Sequence, residues 1–339
     1  MNAKSSQIAI AILNWNGKNL LKRFLPSLTK YSKEANIYVI DNASTDDSIL
    51  FLKENYPELK IIENKQNFGF AGGYNEGLKL IKEDYLILLN NDVEVTKNWI
   101  PPLIELLQTK AEVAAVQPKL KDLNKPDYFE YAGAAGGFID QLGYPFCRGR
   151  LFDELEKDEG QYNDTREIFW ASGACLALKR QVFMNLGGFD EDYFAHQEEI
   201  DLCWRFKNFG YKIMYTPYSQ VYHLGGGSLN AQNPKKTFLN FRNSLFNLVK
   251  NAPKKLTCLI ISRVLIDSSA ILYFAFKLQL KHALAIVSAY VSFIKLYSKI
   301  KSKRREVFSS EKYFRVKSIV WHKFFWRIKS YEALTSKKC

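Results

Sequence analysis

Short apolar runs alternate with amphipathic segments from the start of the chain. "IAIAIL" (8–13), "NIYVID" (36–41), "KIIEN" (60–64) and "YLILLNND" (85–92) read as strands. Between them "NLLKRFLPSLTKY", "DSILFLKENY" and "GGYNEGLKLIKE" carry apolar residues at helical spacing. This alternation predicts βαβ units, a mainly parallel sheet and right-handed crossovers. Pro26 conflicts with the first helical pattern, so that helix is expected to end early or kink. From about 121 to 166 the chain is rich in Gly, Asp and aromatics without a period, which predicts loops and an irregular subdomain over the sheet edge. Order returns with "EIFWASGACLALKR" (167–180), "EEIDLCWRFKNFG" as a helix closed by Gly210, and the strand-like "YKIMYTP" and "VYHLGGGS".

Three polar clusters fall where strands end: Asn14 to Asn16, Asp41 to Asp47, and Asn90 to Asp92. Ligands collect at the carboxyl ends of strands in such sheets, so three clusters at one edge predict one site. Ser44, Thr45 and Asp46 suit a helix N-cap. Asp41 is not needed for capping, and a carboxylate there can accept the N3–H of uracil or thymine. "NFGFAGGYNEG" (67–77) places four glycines and two asparagines between strand and helix, which suits either close approach of a phosphate to the backbone or tight packing. It has neither the Walker lysine nor the GxGxxG spacing. Asp92, between strand end and loop, suits a hard divalent cation that takes one carboxylate and substrate phosphate oxygens.

In "HQEEIDLCWRF" (196–206), Ile200, Cys203 and Trp204 fix one helix face to the core. Asp201 and Arg205, four apart, are expected as a surface pair. Glu198 and Glu199 at the helix start suit either the macrodipole or a general base for an incoming hydroxyl. His223, followed by three glycines at a strand end, is placed to complete a metal site.

Charge divides the chain. Residues before Asn230 carry 25 Lys+Arg against 31 Asp+Glu, and the remainder 23 against 4. Apolar runs woven through the basic tail favour an anionic membrane surface over nucleic acid. "LTCLIISRVLIDSSAILYFAF" (256–276) is long enough to span, but Arg263 and Asp267 near its middle are costly there unless they pair. "ALAIVSAYVSFI" (283–294) is too short to span. Helices lying in the cytoplasmic leaflet's interface are therefore expected, flanked by Lys250, Lys254, Lys295, Lys299 and Arg304 among others. Five scattered cysteines without a CxxC suit a reducing cytoplasm and neither zinc nor a disulfide framework. The N-terminus lacks a signal-type pattern, which makes export improbable.

Taken together, "AILNWNG", "VIDNASTDDS", "NFGFAGGYNEG", "LLNNDVEV", "WASGACLALKR", "GGFDEDYF", "EEIDLCWR" and "VYHLGGGS" resemble, in order and spacing, family 2 of the inverting GT-A-fold glycosyltransferases, and within it the rhamnosyltransferase-like members. The resemblance covers roughly residues 6 to 245. It implies a GT-A domain over 1–245, and the charge and apolar runs of the remainder give a basic, apolar helical region over 246–339 expected to associate with the inner face of the cell membrane. It implies a nucleotide-sugar donor, dTDP- or UDP-linked, a Mg2+ or Mn2+ ion, and a lipid-linked or glycan acceptor. By the same resemblance Asp41 contacts the base, and Asn67, Gly69, Gly72 and Asn75 the nucleotide and diphosphate, beside Asn14, Asn16, Asn90 and Asn91. Asp92 takes the last position of the family's metal-binding Asp-x-Asp, with Asn90 in the first. His223 matches the downstream metal ligand. The catalytic pair falls on Glu198 and Glu199, the choice of base between them being open. Trp170, Ser172, Gly173 and Asp190 line the acceptor side. Alternatives are a UDP-hexose enzyme of the same family and a non-catalytic nucleotide-sugar or membrane-binding module.

Overall fold

The computed structural model describes residues 7–225, 233–253, 255–305 and 312–336. The first half alternates as its pattern predicts: β1 (Ile8–Asn14), α1 (Lys18–Tyr31), β2 (Asn36–Asp41), α2 (Ser48–Asn55), β3 (Lys60–Glu63), α3 (Gly69–Leu78) and β4 (Tyr85–Asn90). These four strands are parallel in the order β4-β1-β2-β3. Register pairs Asn14 with Asp41 and Leu13 with Asn90, so the polar strand ends lie side by side at one edge.

Period-two alternation decides which side chains meet which helices. Ala9, Ala11, Leu86 and Leu88 pack in one core with Tyr74 and Leu78 of α3. Ile10, Ile12, Ile87 and Leu89 pack in the other with Leu21, Leu25 and Leu28 of α1. Each fully buried leucine or isoleucine stabilises by about 1.5–3 kcal/mol. Helix α1 runs unbroken through Pro26, contrary to expectation. Pro26 and Lys22, whose carbonyl loses its partner, face solvent, where water takes the bond while the buried leucines hold the other side.

The second half adds β5 (Val93–Val95), α4 (Pro101–Thr109), β6 (Val113–Asp122), β7 (Gly137–Ile139), β8 (Pro145–Cys147), β9 (Arg150–Leu151), β10 (Glu154–Leu155), β11 (Arg166–Ile168), β12 (Cys175–Lys179), α5 (Arg180–Asn185), α6 (Glu198–Asn208) and β13 (Lys212–His223). Strand β12 inserts antiparallel between β4 and β6, completing a mixed sheet that runs β11-β13-β6-β12-β4-β1-β2-β3, with β5 on β13. The stretch expected to be irregular instead contains a second sheet, β10-β9-β8-β7, whose strands of two or three residues are too short to show a period.

The chain then forms α7 (Pro234–Asn251), α8 (Leu256–Phe276), α9 (Leu280–Ser302), α10 (Ile319–Phe324) and α11 (Tyr331–Ser336). The expected boundary at 245/246 falls inside α7. The run 283–294, expected to be too short, sits within the 23 residues of α9. Asp201 and Arg205 do pair (2.8 Å), but inside the protein rather than on its surface. Helix α7 covers them, adding Lys250 Nζ at 2.8 Å and Asn251 Nδ2 at 2.8 Å from Asp201.

Candidate active site

Strand ends supply the first part of the site. Asp41 is buried, and its carboxylate accepts from Asn14 Nδ2 (3.1 Å), Ser44 N (2.8 Å) and Ser44 Oγ (2.6 Å). A carboxylate offers about four acceptor positions, so one remains. Asn91 Nδ2 donates to Asn14 Oδ1 at 3.2 Å, joining the β4 end to the same network. Asn16, in the left-handed region at φ 51°, accepts Thr45 N (2.7 Å) and Asp46 N (3.3 Å) and so pins the loop after β2. Of the capping candidates Asp46 does the work, accepting Ser48 N at 3.1 Å.

The glycine-rich segment is held tightly by protein. Gly69 has φ +73°, and a Cβ there would lie 2.6 Å from both the ring and the carbonyl of Phe194. That carbonyl accepts Phe70 N at 2.7 Å, occupying an amide at the start of α3. A Cβ on Gly72 would come within 2.9 Å of Phe68 Cβ. Asn67 Oδ1 takes Gly69 N (2.9 Å) and Asn42 Nδ2 (3.0 Å). Asn75 brackets Phe189, donating to its carbonyl (2.9 Å) and accepting its N–H (2.9 Å). The loop thus packs against segment 188–194, which leads into α6.

Asp92 and His223 meet across 131 residues of chain, Oδ1 to Nε2 at 3.0 Å, both buried. The meeting follows from β5 pairing with the end of β13, which sets His223 opposite Val93. Glu130 Oε1 lies 3.0 Å from the other ring nitrogen, as an ion pair rather than an aligned hydrogen bond. Burial alone would depress the imidazole, but the carboxylates of Glu130 and Asp92 outweigh it and push its pKa up to about 10. Among the described residues no three His, Cys, Asp or Glu side chains converge as a metal cluster. Asp92 and His223 are the pair that could hold an ion, which on binding would displace the proton that now bridges Oδ1 and Nε2.

The acidic pair Glu198 and Glu199 follows a strained turn. Phe194, His196 and Gln197 have φ of 62°, 67° and 71°, which side chains rarely adopt. Asn243 of α7 holds this turn by donating to the carbonyls of Tyr193 (3.1 Å), Ala195 (3.0 Å) and His196 (2.7 Å), and Asn247 donates to Gln197 Oε1 (3.1 Å). Among the described residues, Oε2 of Glu198 and Oε2 of Glu199 are buried without a hydrogen-bond partner. Burial pushes Glu199 up to about 7, and burial together with the Glu199 charge pushes Glu198 well above the carboxylate range. Glu199 keeps partial exposure where Glu198 is buried. The Cys147 thiol is raised first by burial and is also raised by the charges of Glu130 and Glu199.

Residues expected on the acceptor side have internal partners. Trp170 is buried, donates from Nε1 to the Phe138 carbonyl (2.9 Å), and packs so closely on Gly137 that a Cβ there would sit 2.0 Å from its ring. Ser172 N donates to Gln117 Oε1 (2.8 Å), and Gly173 lies against the Phe70 ring. The Asp190 carboxylate is held by Lys250 (2.6 Å) and Lys303 (2.5 Å). The residues that sequence reasoning missed are Glu130, Cys147, Asn243 and Asn247. None belongs to a local pattern, and they are brought in by a loop (Glu130), by β8 (Cys147) and by α7 (Asn243 and Asn247). Gly226, Gly227 and Ser228 of the glycine run lie outside the described residues.

Comparison with known proteins fits this geometry. A model of the family described as "Glycosyl transferase family 2" matches residues 9–187. The N-acetylglucosaminyl-diphospho-decaprenol L-rhamnosyltransferase of Mycobacterium tuberculosis is 28% identical over 222 residues, covering 60% of this chain and 71% of that protein. The structure of GalNAc-T7 with UDP, GalNAc and Mn2+ superposes with a TM-score of 0.57 at 19% identity, over 71% of this chain and 47% of that one. The mannosyltransferase PcManGT of Pyrobaculum calidifontis, with GDP-Man and Mn2+, gives a TM-score of 0.54 at 12% identity, over 85% and 87%. These two share the fold.

Proposed function

The chain belongs to glycosyl transferase family 2 and is a glycosyltransferase, and we propose that it moves rhamnose from dTDP-rhamnose onto a lipid-linked or cell-surface glycan acceptor, with inversion at the anomeric carbon. The rhamnosyl donor is supported by the name of the Mycobacterium tuberculosis relative. The observation that carries the chemistry is the buried carboxylate oxygen on Glu199, unpartnered among the described residues, on the helix that follows the turn against which the glycine-rich loop packs.

Asp41 keeps one acceptor position for the N3–H of thymine, or equally of uracil. Asp92 and His223 are the residues that would hold Mg2+ or Mn2+, and when bound such an ion neutralises charge on the donor diphosphate. Glu199 removes the acceptor hydroxyl proton while the oxygen bonds to C1 and the C1–O bond to the diphosphate breaks on the opposite face. A base of this kind contributes about 10²- to 10⁴-fold in rate. Glu198, more deeply buried and beside the Glu199 charge, stays protonated, so Glu199 is the member of the pair that ionises, with burial holding it near neutrality. The enzyme works in the cytoplasm on the inner face of the membrane.

A donor panel of dTDP-rhamnose, UDP-glucose, UDP-galactose and UDP-GlcNAc tests the reading, with thermal shift and nucleotide release measured with and without Mn2+. Release from dTDP-rhamnose well above the UDP sugars is expected. Equal inertness toward all four overturns it. Asp92→Ala removes the Mn2+-dependent part of donor affinity, measured by calorimetry.

A further inference from the structure

The α8–α9 hairpin is built inside out. In soluble helices polar residues face water, yet the charged pair of α8, Arg263 and Asp267, is only 1% exposed and faces the protein. Arg263 donates to the Leu142 carbonyl (2.9 Å) and Ser244 Oγ (2.9 Å) and pairs with Asp267 (3.1 Å), which Tyr290 of α9 also reaches (2.7 Å). The opposite face is apolar: Leu265 is 70% exposed, Phe276 and Leu278 each 85%, and Leu284 and Ile294 project from α9. Exposed apolar surface on this scale marks an interaction site.

Charge selects the occupant. Between Asp267 and Glu306 the chain has eight Lys and Arg and no acidic residue. Lys299 and Lys303 pair with Asp192 and Asp190, and Arg304 donates to the Val249 and Ala252 carbonyls, whereas Lys277, Lys281, Lys295, Lys301 and Arg305 are exposed along the hairpin. An apolar face accompanied by exposed cations suits the boundary of an anionic bilayer. The turn that receives Arg263 also anchors α10, since Asp140 Oδ2 accepts Ile319 N at 2.9 Å, and α10 and the residue after it expose Trp321, Phe324 and Phe325. Such aromatics are enriched at membrane–water interfaces. Both α8 and α9 are long and apolar enough to cross a membrane, but the bonds of Arg263 fasten the middle of α8 to the body of the protein, which suits a helix lying along a surface.

The tip of the hairpin has a defined neighbour. His282 Nδ1 lies 2.8 Å from Thr237 Oγ1, setting the turn beside the start of α7, where Lys235 Nζ lies 5.3 Å from the centre of the Phe194 ring that packs on Gly69 and Lys236 Nζ lies 5.8 Å from the Tyr131 ring, next to Glu130 in the chain. We propose that the outward face of α8 and α9 beds into an anionic lipid surface with its Phe276–Leu278 tip at the rim of the transfer site, so that a lipid-linked acceptor presents its head group to Glu199 without leaving the bilayer.

This inference deepens the membrane part of the proposed function, and its test is separable from catalysis. Full-length protein is floated with phosphatidylcholine vesicles with and without phosphatidylglycerol, in low and high salt, while donor hydrolysis is measured in detergent. Wild type is expected to float with the anionic vesicles and to release as salt rises. Leu265→Glu/Leu284→Glu and Phe276→Ser/Leu278→Ser should each lose roughly 10-fold or more of vesicle partition, with unchanged thermal unfolding and unchanged donor hydrolysis. Flotation of both variants like wild type overturns the proposal. So does a wild-type protein that ignores vesicles and pairs with a second copy through this face. Failure of donor hydrolysis with intact flotation would count against the transferase reading and leave the lipid face standing.

Discussion

Two carboxylates two positions apart on α6 meet opposite fates. Glu199 has no cation on it among the described residues and is pushed by burial from near 4.5 up to about 7. Asp201 points to α7; burial would raise it too, but Lys250 and Arg205 override that and hold it far below the usual carboxylate range. Burial alone therefore does not decide what an acid does. The partner supplied by the next helix turns one carboxylate into a fixed anion, and its absence leaves the other able to take a proton.

The comparison breaks most sharply at Glu199. Glu199→Gln should lower transfer by about 10²- to 10⁴-fold while calorimetry shows donor binding intact; full transfer by that variant would remove Glu199 as the base. The same change at the other acid acts on the fold: Asp201→Asn leaves two buried cations short of their anion and should destabilise by about 3–5 kcal/mol in denaturant unfolding, with activity per folded molecule retained.

Glu130→Gln weakens the charge that orients His223, and Mn2+ binding followed by electron spin resonance should fall by about 10- to 100-fold. The smallest effect is pH. A base works only when deprotonated, so if Glu199 is that base transfer should fall about tenfold per pH unit below about 7 and level off above it. Stability moves the other way for this residue, because the folded state holds the Glu199 proton more tightly than the unfolded state. The stabilisation is complete below about 4.5 and lost as pH rises through about 7. Asp201, held low, contributes stability above the ordinary carboxylate range that is lost on acidification. A rate profile flat from pH 5 to 8 would contradict the assignment of Glu199.

Much of this was legible in local pattern. The period of two in β1, β2 and β4 fixed which face each side chain took, and the strand ends at Asn14, Asp41 and Asn90 fell into register as their position implied. Ordered motifs led to the right family. Spacing gave the Asp201–Arg205 pair correctly but not its burial, because that depends on α7, some fifty residues on. Glu130 carried no signal: it lies in a stretch without a period and gains meaning only when β13 brings His223 to it. Glycines 69 and 72 were readable as either phosphate cradle or close packing, and only the position of Phe68 and Phe194 shows how little room they have.

Helix α7 touches everything that matters. Its Thr237 meets the hairpin, Asn243 and Asn247 brace the turn before the acidic pair, and Lys250 neutralises both Asp190 and Asp201. A cut at the compositional border near residue 245 would pass through this strut and take Lys250 with the discarded piece. Removing the C-terminal helices by truncation would therefore also unbrace the turn before the acidic pair, and solubility is better sought by repainting the outer face of α8 and α9.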